Sequence, residues 1–162
     1  MNVYPIEAGN FKLDGGAMFG VVPKSLWTKT NPADADNMIE MSSRCMLVEN
    51  SDKLILVDTG MGDKQSEKFF KYYKRWGSDN LVKSINSAGF SIDDVTDVLL
   101  THLHFDHCGG AVAWDSSKEA YDVLFKNANY WSNEKHWDWA ASPNPREKAS
   151  FLDENLFPIK ES

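Results

Sequence analysis

Three of the four histidines in the chain fall within six residues, and a carboxylate sits between the last two. The run is Thr101-His102-Leu103-His104-Phe105-Asp106-His107-Cys108-Gly109-Gly110. At this composition the pattern His-x-His-x-Asp-His arises by chance in roughly two of ten thousand such chains, so three unrelated surface histidines account for it poorly. The apolar run Val98-Leu99-Leu100 precedes it and reads as a buried strand that delivers the segment to a sheet edge. In extended backbone, residues i and i+2 point the same way, so His102 and His104 can grip one ion together. The chain then turns, and Asp106 and His107 face a second point close by. Neutral imidazole and carboxylate oxygen suit Zn²⁺, with bond lengths of about 2.0–2.2 Å. Imidazole also suits iron, so ligand type alone leaves the metal open. Gly109 and Gly110 leave room for a tight turn beside the metals.

The rest of the sequence limits the setting of this cluster. At 162 residues and net charge −7, the chain is long enough for one packed domain and too acidic for a general nucleic-acid binder. Lys68, Lys71, Lys74 and Arg75 make a local basic patch that reads as a solvated helix face. Two cysteines, Cys45 and Cys108, do not make a disulfide scaffold. No basic stretch followed by an apolar run opens the chain, and no run approaches the length of a membrane span. The expectation is a cytoplasmic protein with no membrane partner.

Along the chain, residues 1–20 read as two short strands joined at Asp14-Gly15-Gly16, and residues 21–40 as a long irregular loop. Residues 44–49 and 53–58 read as a hairpin whose second strand is buried on both faces. Residues 64–76 have helical spacing, with Phe69, Tyr72, Tyr73 and Trp76 inward. A second helix spans 79–88, capped by Asp79 and stopped by Gly89, and a buried strand spans 95–101. Short strands in 122–131, a helix from Ser132 to about Ala140 and a last helix over 146–156 complete an α/β layered pattern.

With the metal cluster and these elements in hand, the chain resembles the metallo-β-lactamase superfamily. Leu56-Val57-Asp58-Thr59-Gly60 resembles that family's strand-ending Asp motif, and Thr101-His102 its entry to the metal loop. The resemblance implies an αββα sandwich with metals at one edge. It makes His102 and His104 ligands of one metal, Asp106 and His107 ligands of the other, and Asp58 the group that orients the metal loop. A strand-end Asp satisfying backbone amides is the competing account of Asp58. The resemblance further implies two Zn²⁺, with iron or manganese as alternatives, and a bridging hydroxide that attacks a carbonyl. Asp106 would help pass a proton to the leaving group. Asp14-Gly15-Gly16-Ala17-Met18-Phe19-Gly20, Val22-Pro23-Lys24 and Leu26-Trp27 are similar to the lactonase-type branch, which includes enzymes that open N-acyl homoserine lactones. Met18, Phe19 and Trp27 are the pocket candidates, and a small ester or lactone is the implied substrate. Thioester and phosphoester hydrolysis, iron-dependent oxidoreduction and a non-catalytic binding or assembly module are the alternatives.

A complete site of this family takes a third histidine, a bridging Asp and a last histidine from further along. Only His136 follows the cluster, 29 residues after His107, which is too close for the usual ligand. It reads as a partly exposed helix histidine. Residues 1–162 therefore read as the N-terminal half of the fold, a shortened polypeptide or one of two complementing chains. Such a half leaves one sheet face open for a C-terminal half or a second copy, and alone it is expected to be inactive. Cys108 has no histidine left to activate it and reads as a small buried residue.

Overall fold

The computed structural model describes residues 1–160. A five-stranded sheet runs in the order β1-β2-β3-β4-β7. The first strand, β1 (Asn2–Asp14), pairs antiparallel with β2 (Met38–Asn50), which pairs antiparallel with β3 (Lys53–Val57). Strands β3, β4 (Asp97–Leu99) and β7 (Asn129–Trp131) are parallel. A separate two-stranded ribbon pairs β5 (Val112–Trp114) with β6 (Tyr121–Val123). The mixed α/β layering agrees with the sequence reading.

The N-terminal region differs from expectation. Residues 2–14 form one strand, not a hairpin, with a register shift between Glu7 and Asn10. The Asp14-Gly15-Gly16 segment does not turn back on itself, because the Asp14 carboxylate accepts the Ala17 N–H at 2.8 Å and caps a helical turn. That turn is α1 (Gly15–Phe19), and α2 (Lys24–Trp27) lies inside the expected loop. The helix at 64–76 shortens to α3 (Glu67–Tyr73), capped by Ser66 and ended by Lys74 in left-handed backbone (φ 41°). Phe69 and Tyr73 pack inward, while Tyr72 and Trp76 are exposed. Helix α4 (Leu81–Ser87) takes Asn80, not Asp79, as its cap. The sequence around Pro143 and Pro145 gives no helix over 146–156. A short 3₁₀ turn at Lys148–Ser150 precedes α7 (Asp153–Lys160).

The core lies on one face of the sheet. Ile6, Leu47, Leu56 and Val98 project there with 0 % exposure, against Ile85 of α4, Phe125, and Leu156 of α7. Each such side chain contributes about 1.5–3 kcal/mol by leaving water. The opposite face is open. Met46 pairs with Val57, Val57 with Leu99, and Leu99 with Trp131, so one apolar row crosses four strands. Met46, Leu99 and Trp131 in that row are 42 %, 42 % and 54 % exposed. Contiguous exposed apolar rows of this kind are uncommon on the surfaces of monomeric proteins. Among the described residues no helix is long and apolar enough to cross a membrane.

Candidate metal centre

The histidine segment is held by the ends of β3 and β7. Leu100 N–H donates to Trp131 O at 2.9 Å, which carries the β4–β7 pairing one residue further. Asp58, just past β3, adopts left-handed backbone (φ 58°), a conformation that Asp tolerates better than most residues. Its N–H donates to Leu99 O at 2.9 Å. Its carboxylate accepts both the N–H and the hydroxyl of Thr101, each at 2.9 Å to Oδ1. Thr59 N–H and Oγ1 donate to His107 O at 2.8 and 2.9 Å. The β3 end and the histidine segment are therefore one hydrogen-bonded unit. Within the segment runs α5 (Phe105–Cys108), whose first residue follows His104.

The imidazoles gather on one side of this unit. The ring centroids of His102 and His104 are 4.7 Å apart, and those of His102 and His107 are 3.9 Å apart. Asp106 Oδ2 lies 3.7 Å from His107 Nε2. Asp58 Oδ2 lies 2.9 Å from His107 Nδ1. With Nδ1 protonated toward Asp58, the Nε2 lone pair of His107 lies on the side of the ring away from Asp58 and is available to a cation.

Burial pushes the pKa of His102 down, and the neighbouring His107 and His104 act in the same direction. Burial also pushes His104 down. Both rings are thus favoured in the neutral, donor form. For His107 burial works against the charged ring, but the Asp58 hydrogen bond and the Asp106 and Asp58 charges outweigh it and raise the pKa. For Asp58 burial works against the carboxylate, and the bonds from His107 and Thr101 outweigh it and lower the pKa.

The donor chemistry fits a divalent cation of the zinc type. The donor atoms do not close around a single point: among the described residues no three His, Cys, Asp or Glu groups converge closely enough to hold an ion.

The other candidates separate from this cluster. A cleft of about 140 Å³ adjoins Asp106 and His107 and is lined by Phe11, Met41, Ser43, Arg44 and Cys45. Met18, Phe19 and Trp27 are not in its lining. Trp27 is buried, stacked on Phe19 with centroids 5.0 Å apart, while Met18 is exposed. Sequence reasoning missed the cleft because Phe11 and Met41 come from β1 and β2, and only their register pairing brings them together. Cys108 is 0 % exposed, donates to Leu103 O, and has its thiol pushed up to about 12 by burial. It is a packing residue.

Lys64 carries no signal in the sequence, yet it is buried and donates to Gly109 O at 2.5 Å. Burial lowers its pKa to about 8. Below that value the amine is charged in both folded and unfolded chains, and the folded state bears the cost. Between about pH 8 and the ordinary lysine value near 10.4, the unfolded chain binds more protons, so stability rises with pH. Lys64→Met is expected to remove this rise, worth up to about 3 kcal/mol. Urea unfolding of both proteins at pH 7 and pH 10 checks it; parallel pH dependence in the two would refute it.

Asp58 at the end of β3 and the histidine segment thus form one hydrogen-bonded unit at the sheet edge. The chain belongs to the metallo-beta-lactamase superfamily, whose family model matches residues 39–161. It is similar to the N-acyl homoserine lactonase of Bacillus cereus, 28 % identical over 104 residues, covering 58 % of this chain and 40 % of the relative. A solved probable metal-dependent hydrolase from Staphylococcus aureus superposes with TM-score 0.89 at 30 % identity, covering 99 % of this chain and 56 % of that one. AidC, a dizinc quorum-quenching lactonase solved with the product N-hexanoyl-L-homoserine, superposes with TM-score 0.67 at 26 % identity, covering 98 % and 55 %. The chain thus spans about half the length of these solved relatives.

Proposed function

We propose that this chain supplies the first half of a dinuclear metal site that opens a lactone or a similar ester. The observation that carries the reading is the Asp58–His107 contact at 2.9 Å beside three clustered imidazoles. A carboxylate that fixes an imidazole's tautomer is the usual support for a metal-ligating histidine. His102 and His104 would hold one ion, and Asp106 and His107 the other. Two Zn²⁺ suit this set best, with iron or manganese as alternatives. When bound, the ions supply Lewis acidity toward the carbonyl and hydroxide near neutral pH. Asp58 holds the His107 ring and Thr101 in place. Asp106 would accept the proton released as water adds to the carbonyl and pass it to the departing alkoxide. The cleft between Phe11, Met41 and Arg44 receives the part of the substrate nearest Asp106. Met18, exposed on α1, is the pocket candidate best able to meet the remainder.

Residues 1–162 are the N-terminal half of the domain in this reading, and the apolar row through Val57 and Leu99 receives a C-terminal half or a second copy. That half brings the missing ligands and draws the donors together. The substrate class is proposed from relatives that are lactonases, one of them solved with an acyl-homoserine product. A second reading, a non-catalytic assembly module, draws on the unconverged donors. Its mark is stable folding and partner binding with no metal.

Zinc-loaded full-length protein should release protons from an N-acyl homoserine lactone in a pH-stat. A chelator should stop the release and added zinc should restore it. Hydrolysis that survives exhaustive chelation, or none with any lactone or ester, would sink the proposal.

A further inference from the structure

The histidine that follows the cluster has a specific place in it. His136 lies on α6 (Glu134–Ala141), and its Nε2 accepts the backbone N–H of Leu103 at 2.9 Å. Leu103 stands between His102 and His104 and is 0 % exposed. Residues 100–104 belong to no helix or strand, so their amide groups need partners from elsewhere. Trp131 O serves Leu100, Asp58 serves Thr101, and His136 serves Leu103. We infer that His136 is a positioning residue: it pins the Leu103 peptide and thereby sets the direction in which His102 and His104 project. The inference rests on the metal-loop reading above.

The geometry fixes more than a contact. An imidazole accepts only through an unprotonated nitrogen, so the ring is held as the Nδ1–H tautomer. The same lone pair cannot also bind a cation, which separates His136 from a ligand role despite a centroid distance of 6.3 Å to His102. The ring itself is confined. Asn133 caps α6 by accepting the backbone N–H of His136 at 3.2 Å, which fixes the residue's main chain. Trp139 and Phe151 flank the imidazole, with centroids 6.4 and 5.8 Å away. Phe151 also packs against His104 at 4.9 Å. A loop residue with extended neighbours and one anchored peptide between them has little freedom to swing either flanking side chain.

The test uses cobalt as the probe in the full-length protein, with chelator competition and the visible absorption spectrum as readouts. His136→Leu keeps a packed side chain and removes the acceptor. It is expected to weaken cobalt binding about 10-fold and to shift the spectrum. His136→Gln, which places an amide oxygen near the lost Nε2, is expected to recover most of both. Trp137→Leu loosens the same helix without touching the bond and should leave affinity and spectrum near wild type. Wild-type affinity and spectrum in His136→Leu would overturn the inference, and so would an equal loss in Trp137→Leu. Should His136→Leu fail to fold, ¹⁵N resonances of the wild-type ring decide. An unprotonated Nε2 supports the inference and a protonated one overturns it. Wild-type protein that binds no cobalt sinks the proposed function and this inference together; binding that is indifferent to His136 sinks only the inference.

Discussion

His104→Ala and Asp106→Ala should each lower kcat/KM for lactone opening by about 1,000-fold in the full-length protein, while the fold survives. Three orders of magnitude correspond to about 4 kcal/mol of transition-state stabilisation, the scale of a lost Lewis acid. The fold should survive because neither side chain holds it together. His104 is the residue before α5 but makes no capping bond with its side chain. Asp106 is 16 % exposed, and its side-chain ion contact is with His107. The metal-free variants should therefore melt within a few degrees of the parent. The two substitutions should also differ in kind. Asp106→Ala removes a ligand and the proposed proton relay together, so added zinc should not restore turnover. His104→Ala leaves His102 as the sole ligand at the first site from this segment, so raised zinc should restore some of the loss. Turnover, zinc content and circular dichroism melts on the same samples check all of this. Parental turnover in either variant would remove the site from the reaction.

What could be read in the sequence was the spacing of side chains within a few residues. The spacing of His102 and His104 predicts a shared direction, and their rings lie 4.7 Å apart. Asp58 is 43 residues from Thr101; the resemblance of Leu56-Val57-Asp58-Thr59-Gly60 to a family motif pointed to it, and the structure joins the two by three bonds. His136 could not be read, because nothing local to Asn133-Glu134-Lys135-His136 says which loop its helix will touch. Lys64 was illegible for the same reason: its burial is imposed by the segment at 109–114, which lies far along the chain. Asp14 misled for a different reason. An Asp-Gly-Gly run suits a hairpin turn and a helix cap about equally. The choice fell to β1, which found its partner in β2 rather than in its own continuation. Spacing within one segment was legible, then, and Asp58 through its motif; the docking of α6 and of Lys64 onto distant segments was not.

The glycine pair after the cluster shows the same division and carries the largest expected effect on stability. From the sequence, Gly109 and Gly110 serve a tight turn. In the structure their backbone is ordinary at Gly109 (φ −59°), and the constraint is space. A Cβ on Gly110 would lie 2.1 Å from Thr59 O, and one on Gly109 would lie 2.3 Å from Met61 O. Neither carbonyl can retreat cheaply. Thr59 is tied to His107 O by two bonds, and Gly110 N–H donates to Gly60 O at 2.9 Å. Overpacking a core usually costs about 1–3 kcal/mol, and here the obstacle is backbone rather than a side chain that can turn aside. Gly110→Ala is therefore expected to cost about 4 kcal/mol, a fall in Tm of about 10 °C for a domain of this size. Gly20→Ala is the contrasting case. Gly20 has φ +56° with ψ −117° and no heavy atom within 4 Å of the added Cβ, so only conformational strain of about 1–3 kcal/mol remains. Thermal melts of the two metal-free variants separate close approach from backbone strain. If Gly110→Ala proves as mild as Gly20→Ala, then β3 and the histidine segment are not locked together, and Asp58 cannot act on His107 as a fixed support.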